Sequence, residues 1–304
     1  MRTSIKLAML VALVLALVPP ITASAGVPVD PNLGDSILGK AGGVRYASEA
    51  TVYDAMSSFA DVEIGCGGPR WHLIGGGSVA GGPAAQSWDV ASRPYDFGDA
   101  DASGDDGWQV GAYGPPSSEV TGFSICIQDG ELTYPYRSLA ASPTGLRSAS
   151  VSCGGARWQA TAGSAFIATS GSWVQSSFPI DSGDAGATPD DGWKGIVYDT
   201  VGGGGAFEMY AVCAAGVDLS YERGAPTSLT AGNAVTKKVA CAASEHAVGG
   251  GVRTSGPADR ARLVSSFPYD GPDADDVPDD GWQSRGYAIS GADKTVTPFA
   301  ICLG

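Results

Sequence analysis

The chain has 304 residues, with 18 Lys plus Arg against 32 Asp plus Glu, 45 Gly, 19 Pro and 6 Cys. Gly at about twice the usual ~7% argues against a helix-rich protein, because Gly costs ~1 kcal/mol in a helix interior. The net charge of −14 argues against a nucleic-acid backbone or an anionic membrane as partner, and 43% apolar residues argue against a disordered acidic chain.

Residues 1–25 read as a secretory signal. Arg2 and Lys6 precede an apolar run over residues 7–18, and Ala23-Ser24-Ala25 fits the small-residue cleavage pattern. Twelve apolar residues are too few for ~30 Å of hydrocarbon, which needs ~20 in a helix, so no membrane insertion is expected. The product is expected outside the cell or at its surface, where disulfides form. Residues 26–43 read as an extended or disordered lead.

From there the sequence is three copies of one unit, at residues 44–130, 131–217 and 218–304, each of about 87 residues. Cys66, Cys126, Cys153, Cys213, Cys241 and Cys302 fall into pairs separated by 60, 60 and 61 positions. Cys66-Gly67-Gly68-Pro69-Arg70-Trp71 matches Cys153-Gly154-Gly155-Ala156-Arg157-Trp158, whereas Cys241 leads to Glu245-His246. Each unit then carries a serine-rich segment ending at Pro94, Pro179 or Pro268, an acidic loop, and Asp-Asp-Gly-Trp at 105–108, 190–193 and 279–282. A tyrosine sits five residues past each of these tryptophans (Tyr113, Tyr198, Tyr287). An aromatic sits three before each final cysteine (Phe123, Tyr210, Phe299), and a tyrosine 19 or 20 before each first one (Tyr46, Tyr134, Tyr221).

Within a unit the segments are short, β-branched and aromatic, and bounded by Gly, Pro, Ser and Asp, which predicts five or six strands. Ser48–Ala60 is the best helical stretch, and its alignment with strand-like segments elsewhere counts against it. The fold class expected is all-β. The short spacers at 127–130 and 214–216 leave two arrangements: a shared pseudo-threefold, β-prism-like body, which is favoured, or closely packed tandem β-domains. Repeat symmetry favours Cys66–Cys126, Cys153–Cys213 and Cys241–Cys302, one disulfide per unit. The rival scheme joins Cys126–Cys153, Cys213–Cys241 and Cys66–Cys302.

The three loops run 15 residues from Pro to Trp and hold 15 of the 32 acids with no base. The repeated carboxylates are Asp96, Asp99, Asp101, Asp105 and Asp106; Asp181, Asp184, Asp190 and Asp191; and Asp270, Asp273, Asp275, Asp279 and Asp280. Crowded carboxylates repel unless a cation or solvation offsets them, and calcium suits Asp-rich loops with Gly turns. A plain solvated turn serves equally, with Asp-Gly making the turn and Trp anchoring the next strand. The loops are similar to the acidic calcium loops of thrombospondin type 3 modules. They are not EF-hands, since the terminal Glu is absent, and the second loop has Gly186 where the others have Asp101 and Asp275.

His72 and His246 are not repeat equivalents, and His246 replaces a tryptophan, which points to a packing or surface role. No HExxH or GxSxG occurs, and the glycine runs at 75–77 and 249–251 lack the Lys-Ser/Thr of a phosphate loop, so they read as bulges or close strand approaches. Trp71, Trp158, Trp88 and Trp173 are candidates for stacking on sugar rings, with core filling as the alternative and Arg262 marking divergence in the third unit. As a whole the repeats resemble uncharacterised secreted bacterial proteins with cysteine-framed Asp-Asp-Gly-Trp β-repeats. That resemblance implies a compartment rather than an activity. The expectation is a non-enzymatic binding or surface-interaction protein, stabilised by disulfides and by calcium, with a glycan or surface polymer as ligand. A structural envelope or matrix protein comes second and an exported hydrolase third.

Overall fold

Among the described residues, the β-branched and aromatic segments between the Gly, Pro and Asp punctuation form strands. The computed structural model describes residues 36–304 apart from 42, 55–57, 97–103, 129, 141–143, 168, 170, 183–185, 201–204, 257–260, 272–275 and 292–293. Strand β1 (Ser36–Ala41) lies in the lead and pairs with β2. The first unit holds β2 (Val44–Val52), β3 (Phe59–Gly65), β4 (Trp71–Ala80), β5 (Trp88–Tyr95), β6 (Gly107–Tyr113) and β7 (Glu119–Gln128). The second holds β8 (Glu131–Thr133), β9 (Tyr136–Leu139), β10 (Gly145–Ser152), β11 (Trp158–Ile167), β12 (Ser172–Ile180), β13 (Gly192–Asp199) and β14 (Phe207–Ala215). The third holds β15 (Leu219–Arg223), β16 (Thr227–Leu229), β17 (Ala234–Ala240), β18 (His246–Thr254), β19 (Ala261–Tyr269), β20 (Gly281–Ala288) and β21 (Lys294–Leu303). The described residues contain no helix, and Ser48–Ala60 falls on β2 and β3. Proline lacks the N–H a ladder needs. Pro135 and Pro226 accordingly lie in the gaps between β8 and β9 and between β15 and β16, whereas β2, with no proline, runs nine residues unbroken.

Each unit is a pair of antiparallel layers. In the first, β2-β7-β4 packs on β3-β6-β5. The disulfides Cys66–Cys126, Cys153–Cys213 and Cys241–Cys302 join the layers within a unit, so the rival scheme does not occur. In the chain-entropy model, closing a loop of this length contributes about 4 kcal/mol.

The units then share sheets. Each of the three seven-stranded sheets combines one layer from each of two units: β4 joins β19, β11 joins β5, and β18 joins β12. The joints, Ser78↔Ser266, Phe166↔Ala91 and Val252↔Ser177, are in one register when the units are aligned. First to third, third to second and second to first close a ring. The architecture is therefore a shared pseudo-threefold body, prism-like in its three sheets, and tandem domains are ruled out.

Three sets of equivalent side chains recur, the first inside each unit and the other two across the joints. Trp108, Trp193 and Trp282 are fully buried, and each donates its Nε1–H at 2.8 Å to Ser92, Ser177 or Ser266. Tyr46 donates to the Ala247 carbonyl (2.9 Å), Tyr134 to Leu73 (2.8 Å) and Tyr221 to Ala160 (2.8 Å), each from one unit into the next. Trp88 donates to Ser172 O and Trp173 to Ala261 O, while Arg262, in the same place, donates to Ala84 O. A ladder shift recurs in β4, β11 and β18, between Leu73 and Gly75, Ala160 and Ala162, and Ala247 and Gly249. Gly75, Ala162 and Gly249 follow the bulge and meet at the centre. A Cβ on Gly75 would lie 2.0 Å from Val248 O, and one on Gly249 would lie 1.9 Å from Thr161 O. Beside them a small buried cavity is lined by Ser92, Ser177 and Ser266 and by Asp89, whose counterparts are Val174 and Leu263.

Candidate functional site

The Asp-Asp-Gly-Trp corners are structural joints. The carbonyls of Asp106, Asp191 and Asp280 accept from the amides of Cys66, Cys153 and Cys241. Those of Asp105, Asp190 and Asp279 accept from Leu73, Ala160 and Ala247. The first carboxylate of each pair is also engaged: Asp105 with His72 Nδ1 (3.0 Å), Asp190 with Gln159 Nε2 (3.3 Å) and Asp279 with His246 Nδ1 (2.5 Å). The second caps the acidic loop, Asp191 accepting from Ser182 N (2.6 Å) and Asp280 from Gly271 N. Burial, reinforced by these acid pairs, pushes the phenols of Tyr46, Tyr134 and Tyr221 well above their ordinary range.

These contacts correct the reading of the histidines. His72, Gln159 and His246 are equivalent, and it is Glu245 that stands at the Trp71 and Trp158 position. Counting from the cysteine misleads because the third turn is one residue shorter. Gly67-Gly68 and Gly154-Gly155 all take positive φ in the longer turn, whereas Ala242–Ser244 make a tighter one. Glu245 closes that tighter turn by accepting from Ala242 N (3.1 Å).

Among the described residues no group of three or more His, Cys, Asp or Glu is placed to hold a metal ion. Asp99, Asp101, Asp184, Asp273 and Asp275 lie outside the described residues. Asp96, Asp181 and Asp270 stand at the start of their loops, directly after β5, β12 and β19. The four tryptophans do not come together as one platform. Trp88 and Trp173 are half-buried at the unit joints, stacked on or tilted against Tyr113 and Tyr198. Trp71 and Trp158 are half-buried beneath Arg45 and Arg157, at 5.7 and 4.7 Å.

The open chemistry lies on the outer faces of the sheets, where two units meet. In the joint between the first and second units a groove is lined by Arg93, Pro94, Tyr95, Asp96, Tyr136 and Tyr210. Tyr136 is 67% exposed and stacks on Tyr210, with ring centroids 5.9 Å apart. Arg93 lies over the Phe166 ring (4.3 Å), pairs with Glu208 (3.2 Å) and donates to Gln109 (2.7 Å). Burial, then the hydrogen bond to Glu208 (2.6 Å), raises the Tyr210 phenol to about 12. Gln109 Nε2 donates in turn to Asp61 (3.2 Å) and Glu63 (3.1 Å), and burial followed by the Glu63 charge raises the Asp61 carboxyl.

The same groove recurs between the second and third units, lined by Phe178, Pro179, Asp181, Tyr221, Arg223, Arg253 and Phe299 among others. Sequence reading noted the aromatic before each final cysteine but missed the grooves. Their chemistry sits at positions that differ from unit to unit, such as Arg93, Phe178 and Phe267, whereas an internal repeat displays only what its units share.

No family model and no curated protein matches the chain. Among solved structures it is similar to one described as "The Triple Jelly Roll Fold and Turret Assembly in an Archaeal Virus", at 12% identity over 88% of this chain and 83% of that one. The TM-score of 0.19 is too low for that likeness to carry any argument.

Proposed function

We propose that the protein is a secreted, non-enzymatic binding protein that takes a glycan or surface polymer in the grooves where its units join. The observation that carries this reading is the exposed Tyr136–Tyr210 stack beside Tyr95 and Arg93. Aromatic faces offer rigid apolar area at little entropic cost, and the neighbouring carboxylates and guanidinium supply hydrogen bonds to hydroxyls. Export is supported by three disulfides, which form in oxidising compartments. The test is a polysaccharide and glycan array followed by calorimetry. Because Tyr136 is largely exposed, Tyr136→Ala should keep the melting temperature while weakening binding to a neutral ligand about tenfold, the size of a lost aromatic anchor. A wild-type protein that binds no polymer leaves the reading without support and favours a purely structural envelope role.

The reading extends to calcium as a stabiliser of the acidic loops. Asp105, Asp190, Asp191, Asp279 and Asp280 are already hydrogen-bonded within the chain, so an ion that took them would compete with those bonds. Millimolar calcium is expected to raise the melting temperature and a chelator to reverse it. An unchanged melt with no heat on titration removes calcium from the account.

A further inference from the structure

Resting on that binding function, we infer that the two grooves described above take different sugars, and that the groove between the second and third units takes an anionic sugar through Arg223 and Arg253. The two grooves share a frame and invert its contents. In the first, Arg93 on β5 lies over Phe166 on β11. In the second, the β5 counterpart is Phe178 on β12 and the β11 counterpart is Arg253 on β18, so the cation lies over the ring from the opposite side of the joint, at 5.6 Å. Tyr136, paired with Tyr210 in the first groove, becomes Arg223, paired with Phe299 in the second.

What neutralises the first groove is missing from the second. Glu208, which pairs with Arg93, sits opposite Phe166; the matching residue opposite Arg253 is Thr297. Among the described residues neither Arg223 nor Arg253 has a carboxylate within ion-pair distance, and both are exposed. The acid lining this groove is Asp181, at the mouth of the second loop. Phe178 and Phe299 are only 7% and 6% exposed and stacked 6.1 Å apart, so they are not themselves platforms. Each carries a guanidinium over its ring, Arg223 5.8 Å above Phe299 and Arg253 5.6 Å above Phe178. The planar guanidinium fork suits bidentate capture of carboxylates. In a chain of net charge −14 such a site favours a polymer whose anions are planar carboxylates, one to each sugar, such as a polyuronate, over the denser phosphates of a nucleic-acid duplex.

The experiment compares polygalacturonate fragments with neutral oligosaccharides on the wild type, on Arg223→Gln/Arg253→Gln, on Arg223→Lys and on Tyr136→Ala. The double variant should lose at least tenfold in polygalacturonate affinity, keep its neutral ligand and show a shallower salt dependence, with Arg223→Lys intermediate. Tyr136→Ala should show the reverse pattern. Neutral binding without polygalacturonate binding, or polygalacturonate binding indifferent to the arginines, overturns the inference and leaves the binding function standing. If nothing binds, both fall. Concentration-dependent self-association in sedimentation that the double variant abolishes also overturns it, because the groove would then be filled by a second copy.

Discussion

Gly249→Ala should destabilise the protein by roughly 3 kcal/mol or more, a fall in melting temperature on the order of 6–12 °C. The added carbon would sit 1.9 Å from Thr161 O, which is backbone and cannot swing aside. Gly75→Ala should do the same against Val248 O, at 2.0 Å. The equivalent residue of the second unit is already alanine, and its Cβ fills the space the two glycines leave, 3.4 and 3.3 Å from where theirs would lie. Ala162→Gly should therefore cost only the ~1 kcal/mol of a strand glycine and a lost methyl. Thermal melts of the three variants check this asymmetry. A Gly249→Ala protein that melts with the wild type would mean the centre of the ring is loosely packed.

The second large effect concerns Asp89. Its side chain is buried, one oxygen accepting from Ser78 (2.7 Å) and the other facing no hydrogen-bond partner among the described residues. Burial raises its carboxyl to about 8, against ~3.9 for an exposed aspartate. The sign follows from proton counting. Below about pH 4 both states hold the proton and there is no penalty. Between about pH 4 and pH 8 the folded state keeps a proton that the unfolded state releases, so stability falls as pH rises. Above about pH 8 the full penalty is present, on the order of 5 kcal/mol. Ser78→Ala/Asp89→Val copies the second unit, which has Ala165 and Val174 there. Urea midpoints across pH should show the wild type losing stability relative to this variant from pH 4 to pH 8, and a constant gap beyond. Parallel curves throughout would show that the carboxyl is solvated or paired.

How much of this was legible in the sequence depended on the range of the interaction. The strands, the unit length and the disulfide pairs were legible because Cys, Trp, Tyr and Pro recur at fixed offsets, and local residue types decide strands and turns. Ring closure was not, since the spacers at 127–130 and 214–216 fit a shared or a tandem body equally, and the joint β4–β19 brings together residues far apart in the chain. The histidine register failed over a single residue of turn length, visible only once Gly67 and Gly68 are seen at positive φ. The acidic loops drew notice because they are repeated. Repetition marked the frame, with the corner carboxylates engaged inside the fold, whereas the grooves lie where the units have diverged. Asp89 gave no signal at all, being one acid in a strand where its counterparts are Val174 and Leu263.

The joints carry a last consequence. A solenoid gains or loses units freely, because each repeat touches only its neighbours along one line. Here β4 of the first unit pairs with β19 of the last, so no unit is terminal and every joint is spent. The number three is thus a stoichiometry rather than a length, the closed point symmetry of a trimer written into one polypeptide. Tethering has then let each interface diverge separately, which no assembly of identical subunits can do.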